Sequence, residues 1–278
     1  MLRRPKGDRV RDDLRLADLL AALSVATDLG MGQEPEKAVR TCLVATELAR
    51  AMDLPEPEVR DVFYTALLKH LGCTAPSHET AWLVGDDLAG APVAERTDVA
   101  DRREVLALMA ATGRGTGVHR VRYLVRTLAA GKEGSRAISR AVCEVGALMA
   151  ERLHLGDGVR VGLLHSLERW DGRGEAHGLA GDDIALPARF TAVATQAVIF
   201  DRLGGPQAAV EMVRRRAGGW FDPAVAATFE RVGPALLRRR SEADVWAEVL
   251  AAEPEPSAGS PGRSSTRWRG SSGTWSTC

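Results

Sequence analysis

Apolar residues recur along this chain at the three- and four-residue steps of a helix rather than at the alternating steps of a strand. Leu16, Leu19, Leu20 and Leu23 share such a face, with Leu14 just before them. Val39, Leu43, Ala45, Leu48 and Ala49 repeat the pattern in the next segment. Proline marks helix starts, where its missing N–H leaves no bond unmade: Pro35 for the second helix, Pro55 and Pro57 for the third. Acids fill the first turn of that third helix, and Gly72 is its expected stop. The same reading predicts helices over 79–88, 102–111, 118–129, 135–155, 158–169 and 186–203. Two more open at Pro206 and Pro223, and a last one runs from Ser241, a good N-cap, to Ala252. Alternating patterns bounded by turn residues are hard to find, and Asn-Gly hairpin pairs are absent. The expectation is an all-α fold of about ten helices or more.

The periodicity stops near Glu253. Residues 254–278 hold Ser, Gly, Arg, Trp and Thr without aliphatic spacing, so the sequence divides into a helical domain over 1–253 and a disordered tail over 254–278. The chain has no Asn, few Lys and much Ala, Gly, Arg and Val, as GC-rich codons give. Under one such codon choice a neighbouring frame of 265–278 reads as an amphipathic helix. The tail is therefore expected to be out of frame, which the gene sequence would test. Arg263, Arg267 and Arg269 with Trp268 read as solvated residues of that tail rather than a nucleic-acid arm.

Charge narrows the field little. The 37 basic and 37 acidic side chains cancel, so neither nucleic acid nor an anionic membrane meets a global field. Cys42, Cys73, Cys143 and Cys278 lack CxxC or zinc-ribbon spacing and read as reduced thiols. Asp12, Asp13, Asp18 and Asp28 interrupt or flank the first apolar run, which argues for an amphipathic helix and against an export signal. No apolar run is long enough to span a bilayer. A cytoplasmic protein without membrane or nucleic-acid partners is expected.

The stretch HSLERWDGRGEAHGL, residues 165–179, has the glycines and acids of a phosphate-handling loop. Continued as ERWDGRGEAHGLAGDDIALPARFTAVAT, with AGGWFDPAVAATF downstream, it resembles the C-terminal half of HD-GYP domains, a branch of the HD phosphohydrolases. Glu168, Trp170, Asp171, Gly172, Gly174, Gly178, Leu179, Gly181, Asp182, Ile184, Arg189 and the Phe221-Asp222-Pro223 run carry the likeness. The resemblance implies an HD-domain-like multi-helix bundle, two or three iron or manganese ions, and hydrolysis of phosphodiesters such as cyclic di-GMP. Imidazoles and carboxylates suit such ions, which turn a bound water into a hydroxide nucleophile.

Carried over residue by residue, the implied ligands are missing. The His-Asp pair falls on Lys69 and His70, and Cys73 stands for a lysine. The double histidine before Glu168 falls on Ser166 and Leu167. A ligand at a helix start falls on Val142 or Cys143, an aspartate on Thr195, and the Tyr-Pro of the loop on Glu175 and Ala176. An earlier histidine, expected in EKAVRTCLVA, has no counterpart. An ammonium beside a dication costs about 4 kcal/mol per unit charge at 4 Å, even with an effective dielectric near 20. HLGCTAPSHE together with HSLERWDG also resembles the N-terminal half of actinobacterial regulators with tandem HD-type domains and a LuxR-type DNA-binding end. This chain shows no DNA-binding helix pair.

Three functional readings follow. The first is a catalytically degenerate domain that serves as a sensory or protein-interaction module in signalling or transcriptional regulation. It would have no cofactor, and would take a protein partner, a small nucleotide or a second copy of itself. The alternative is a metal-dependent phosphohydrolase, using Fe or Mn, with a site rebuilt from His70, His78 and Asp86. His165, Glu168 and Asp171 complete the candidate remnant. A third reading is a truncated remnant without function. ATGRGTGVHR, residues 111–120, lacks the Lys-Ser/Thr of a phosphate loop and reads as a connection between helices.

Overall fold

The computed structural model describes residues 15–74, 93, 95–98, 101, 103–106, 117–240 and 244–254, with the side chains of 73–74, 117–132 and 239–240 left aside. The elements are α1 (Leu16–Gly30), α2 (Lys37–Ala51), α3 (Glu56–Leu68), a 3-10 turn (Lys69–Thr74), α4 (Gly117–Arg152), α5 (Asp157–Leu164), a second 3-10 turn (Gly181–Asp183), α6 (Leu186–Arg216), α7 (Pro223–Arg240) and α8 (Val245–Ala252). Among the described residues there is no strand, only an isolated bridge between Ala217 and Phe221. The all-α expectation holds.

Helix α2 is the hub. It packs on α3, α6, α7, α1 and α8, and most of its residues are buried, including Ala38, Val39, Cys42, Leu43, Val44, Ala45 and Leu48. Small residues on two sides let neighbours approach, so the core closes around Phe63, Phe190, Phe221, Phe229, Leu67 and Met212, each under 2% exposed. The chain end is tied to the same body. Glu253 Oε1 accepts from Tyr64 Oη at 2.8 Å and from the Ala17 amide at 3.2 Å.

Several boundaries differ from the periodic reading. The expected helices 118–129 and 135–155 are one helix, α4, because nothing between them breaks the backbone. The helix expected over 158–169 ends at Leu164, where the loop begins to bond to itself. The α6 backbone bends at Gly204 and Gly205, the latter at φ 78°, just before Pro206. The last helix is capped by Asp244, not Ser241: its carboxylate accepts from the Trp246 and Ala247 amides. Gly72 is not a helix stop either. Helix α3 passes directly into the 3-10 turn, and a Cβ on Gly72 would lie 2.2 Å from the Val142 carbonyl oxygen of α4. Its role is close approach.

Candidate functional site

That approach positions the first two site residues. The turn carries Lys69 and His70 to the edge of the core, against α4 and α1. From α6, one wall over, Thr195 and Gln196 face them. Lys69 Nζ donates to Thr195 Oγ1 at 3.2 Å, and that hydroxyl donates onward to the Thr191 carbonyl at 2.7 Å. With its proton committed along the helix, the Thr195 oxygen turns a lone pair to the ammonium.

A cavity of about 280 Å³ opens beside this pair. Lys69, His70, Asp28, Glu95, Ser166, Leu167, Arg169 and Gln196 are among its walls. The positions that the resemblance assigns to metal ligands therefore do converge. Ser166 lies 3.7 Å from the Cys143 sulfur, and both are buried. Burial pushes the Cys143 thiol up, so it stays protonated.

Two wall residues, Glu95 and Asp28, and Lys37 beside them were not visible in the sequence. Glu95 lies in a short segment held by four side chains. Lys37 Nζ meets its carboxylate at 2.5 Å, and Gln196 Nε2 donates to its carbonyl at 2.7 Å. Arg216 binds the Arg96 carbonyl and Glu104, while Arg169 binds Asp98 at 2.7 Å. Burial works against the charge on Glu95, but Lys37, His70 and Lys69 outweigh it and hold the carboxyl at about 2. Asp28, 1% exposed, accepts from the Ala38 amide through Oδ2 at 3.0 Å, and its Oδ1 has no hydrogen-bond partner among the described residues. Burial raises its carboxyl to about 6. Lys37 was legible only as a lysine at a helix start, where a solvated side chain is the usual outcome; here it is 2% exposed.

His70 is 5% exposed. Burial, then the neighbouring Lys37, drives its pKa well below the ordinary histidine value, so it is neutral. Its Nε2 lies 3.7 Å from Glu95 Oε1, too far for a hydrogen bond, and has no hydrogen-bond partner among the described residues.

The other expected site residues are committed to the loop. Glu168 accepts from the amides of His177 at 2.5 Å, Gly178 at 3.1 Å and Leu179 at 3.2 Å. Gly174 must be glycine because a Cβ there would meet Glu168 Oε2 at 2.3 Å. His165 Nδ1 accepts from the Ala185 amide at 3.0 Å. Asp171 is paired with Arg169 and caps the Arg173 amide. Arg189 clamps the far end through Asp182, Asp222 and the Trp170 ring. The loop is a self-bonded scaffold, and of His70, His165, Glu168 and Asp171 only His70 is a wall of the cavity. His78 and Asp86 lie outside the described residues, as do most of 111–120 and all of 255–278.

The donor set does not fit an iron or manganese centre. Among the described residues, no three His, Cys, Asp or Glu lie together as a metal site would require. A dication reaching His70 and Glu95 would also have to displace the Lys37 ammonium and stand near Lys69.

Residues 130–225 match the HD domain family. Over 240 residues the chain is 27% identical to the 3'3'-cGAMP-specific phosphodiesterase 3 of Vibrio cholerae, covering 84% of this chain and 52% of that protein. A crystal structure of a cyclic GMP-AMP-specific phosphodiesterase of V. cholerae shares the fold of this chain. Its TM-score is 0.66 at 24% identity, over 86% of this chain and 54% of that one. The chain spans about half the length of each. The likeness to a phosphodiesterase over most of the chain overturns the first functional expectation, a module without chemistry, and favours the phosphohydrolase alternative. Among the described residues, no helix is long and apolar enough to cross a membrane.

Proposed function

We propose that this chain is a phosphodiesterase acting on a cyclic dinucleotide. The observation that carries the reading is the 27% identity, over 84% of the chain, to a relative named for that reaction. The cavity supports it physically. At about 280 Å³ it lies near the lower end of the roughly 300–1,000 Å³ usual for small-molecule sites, so one half of a dinucleotide would be seated and the rest would lie at the mouth. An ammonium at the wall suits a phosphate oxygen. Asp28, with a carboxyl near 6 and one oxygen unpartnered, is suited to take a proton from an attacking water at neutral pH. The net change adds water across one ester linkage: hydroxyl on phosphorus, hydrogen on the released ribose oxygen.

Incubation with 3',3'-cGAMP, cyclic di-GMP and bis-p-nitrophenyl phosphate, followed by chromatography, tests the reading. A linear dinucleotide that accumulates in proportion to protein is expected. Asp28→Asn should cut turnover at least tenfold while leaving binding in place. No turnover of any of the three above a tagged blank would refute the proposal.

A further inference from the structure

We infer that the phosphodiester is bound here without a metal ion, its negative charge met by the Lys69 ammonium. The inference rests on the phosphodiesterase reading and concerns how that same site holds its substrate. Three observations on the cavity carry it.

The first is the position of the cation. Lys69 sits in a turn pressed on α4 at a glycine, and its Nζ is aimed by the Thr195 hydroxyl, itself anchored to the Thr191 carbonyl. A long flexible side chain is thereby given one direction, along the cavity wall. The second is the state of its neighbours. Glu95 is already closed by Lys37 at 2.5 Å, so its carboxylate is spent internally and is a poor recruiter of a metal.

The third observation points to a ligand. Two polar atoms on side chains lining the same cavity, Asp28 Oδ1 and His70 Nε2, are buried without hydrogen-bond partners among the described residues, on residues 1% and 5% exposed. Buried polar atoms are nearly always bonded, and exceptions concentrate where something else completes them. The attacking water would meet Asp28, and a ribose hydroxyl or base amine of a nucleotide would meet His70, next to the phosphate that Lys69 would take. A bare inorganic cation would be repelled by the Lys37 and Lys69 ammoniums beside it.

The experiment is titration calorimetry of the full chain with 3',3'-cGAMP, once after chelation and once with added Mn²⁺ or Fe²⁺. The same affinity within about twofold is expected in both. Lys69→Met should weaken binding tenfold or more, the usual scale of a charge-assisted hydrogen bond, with an unchanged melting temperature. Thr195→Val, which removes the aim but not the charge, should weaken it less. Binding that appears only with metal would overturn the inference and leave the phosphodiesterase reading standing. Unchanged affinity in Lys69→Met would overturn it too. No binding in either buffer would remove both.

Discussion

At the scale of single residues, the site is a set of ionisable groups whose surroundings have moved them in opposite directions. Asp28 holds its proton more tightly in the folded state, about 6 against 3.8. Its contribution is therefore fully favourable below pH 4 and is lost as pH rises through 6, a swing of about 3 kcal/mol. Asp28→Asn should match the wild type near pH 4 and become more stable than it by up to about 3 kcal/mol near pH 7, as urea titrations at several pH values would reveal. A gap that does not open with pH would show Asp28 to be solvated. Glu95 behaves oppositely, its carboxyl held at about 2 against 4.5, so its stabilisation is present above pH 5 and is lost as pH falls toward 2. Lys37→Met strips Glu95 of its buried partner and should cost about 3–5 kcal/mol, while Lys37→Met with Glu95→Gln should recover much of it. None of this was legible in the sequence. Lys37, Asp28 and Glu95 are ordinary charged residues in helical or connecting patterns, and only the fold reveals that they are buried together. His70 was legible because histidine is scarce and its neighbourhood matched a known motif.

At the scale of elements, one glycine and one carboxylate decide where side chains stand. Gly72 lets the 3-10 turn touch α4; Gly72→Ala should lose about 1–3 kcal/mol by overpacking against the Val142 carbonyl and should weaken ligand binding together with stability. Glu168 does for the 165–185 loop what a cap does for a helix, gathering three amides on one side chain. Glu168→Gln replaces an acceptor oxygen by a donor facing those amides, so a loss of about 2–3 kcal/mol is expected in thermal melts; a neutral result would mean that the loop holds without it. Helix positions were readable because apolar spacing and proline report them locally. Helix ends were less so. Whether α4 runs unbroken, where α5 stops and which residue caps α8 depend on bonds such as Asp244 to the Trp246 amide, for which Ser241 was an equally good local candidate. Glu168 was legible as a motif residue, but a carboxylate in such a loop reads the same in sequence whether it bonds a ligand or, as here, gathers backbone amides.

At the scale of the whole molecule, a helical body built around α2 brings a turn after α3, the far wall of α6 and a short tied segment to one cavity. The HD-type architecture was legible from the loop motif and from helical spacing together. The first functional expectation fell short for a physical reason: counting lost ligands at Lys69, Ser166, Leu167 and Thr195 treats the metal as the one way to meet a phosphate, although an ammonium aimed by a hydroxyl can meet the same charge. The central claim is that this cavity opens a phosphodiester. Phosphorus NMR of 3',3'-cGAMP with the purified full chain tests it most directly. The account predicts that the diester resonance falls while a phosphomonoester resonance grows, at a rate that scales with protein and is at least tenfold lower for Asp28→Asn. A spectrum that stays that of the cyclic diester, at protein concentrations where calorimetry shows it bound, would contradict the account.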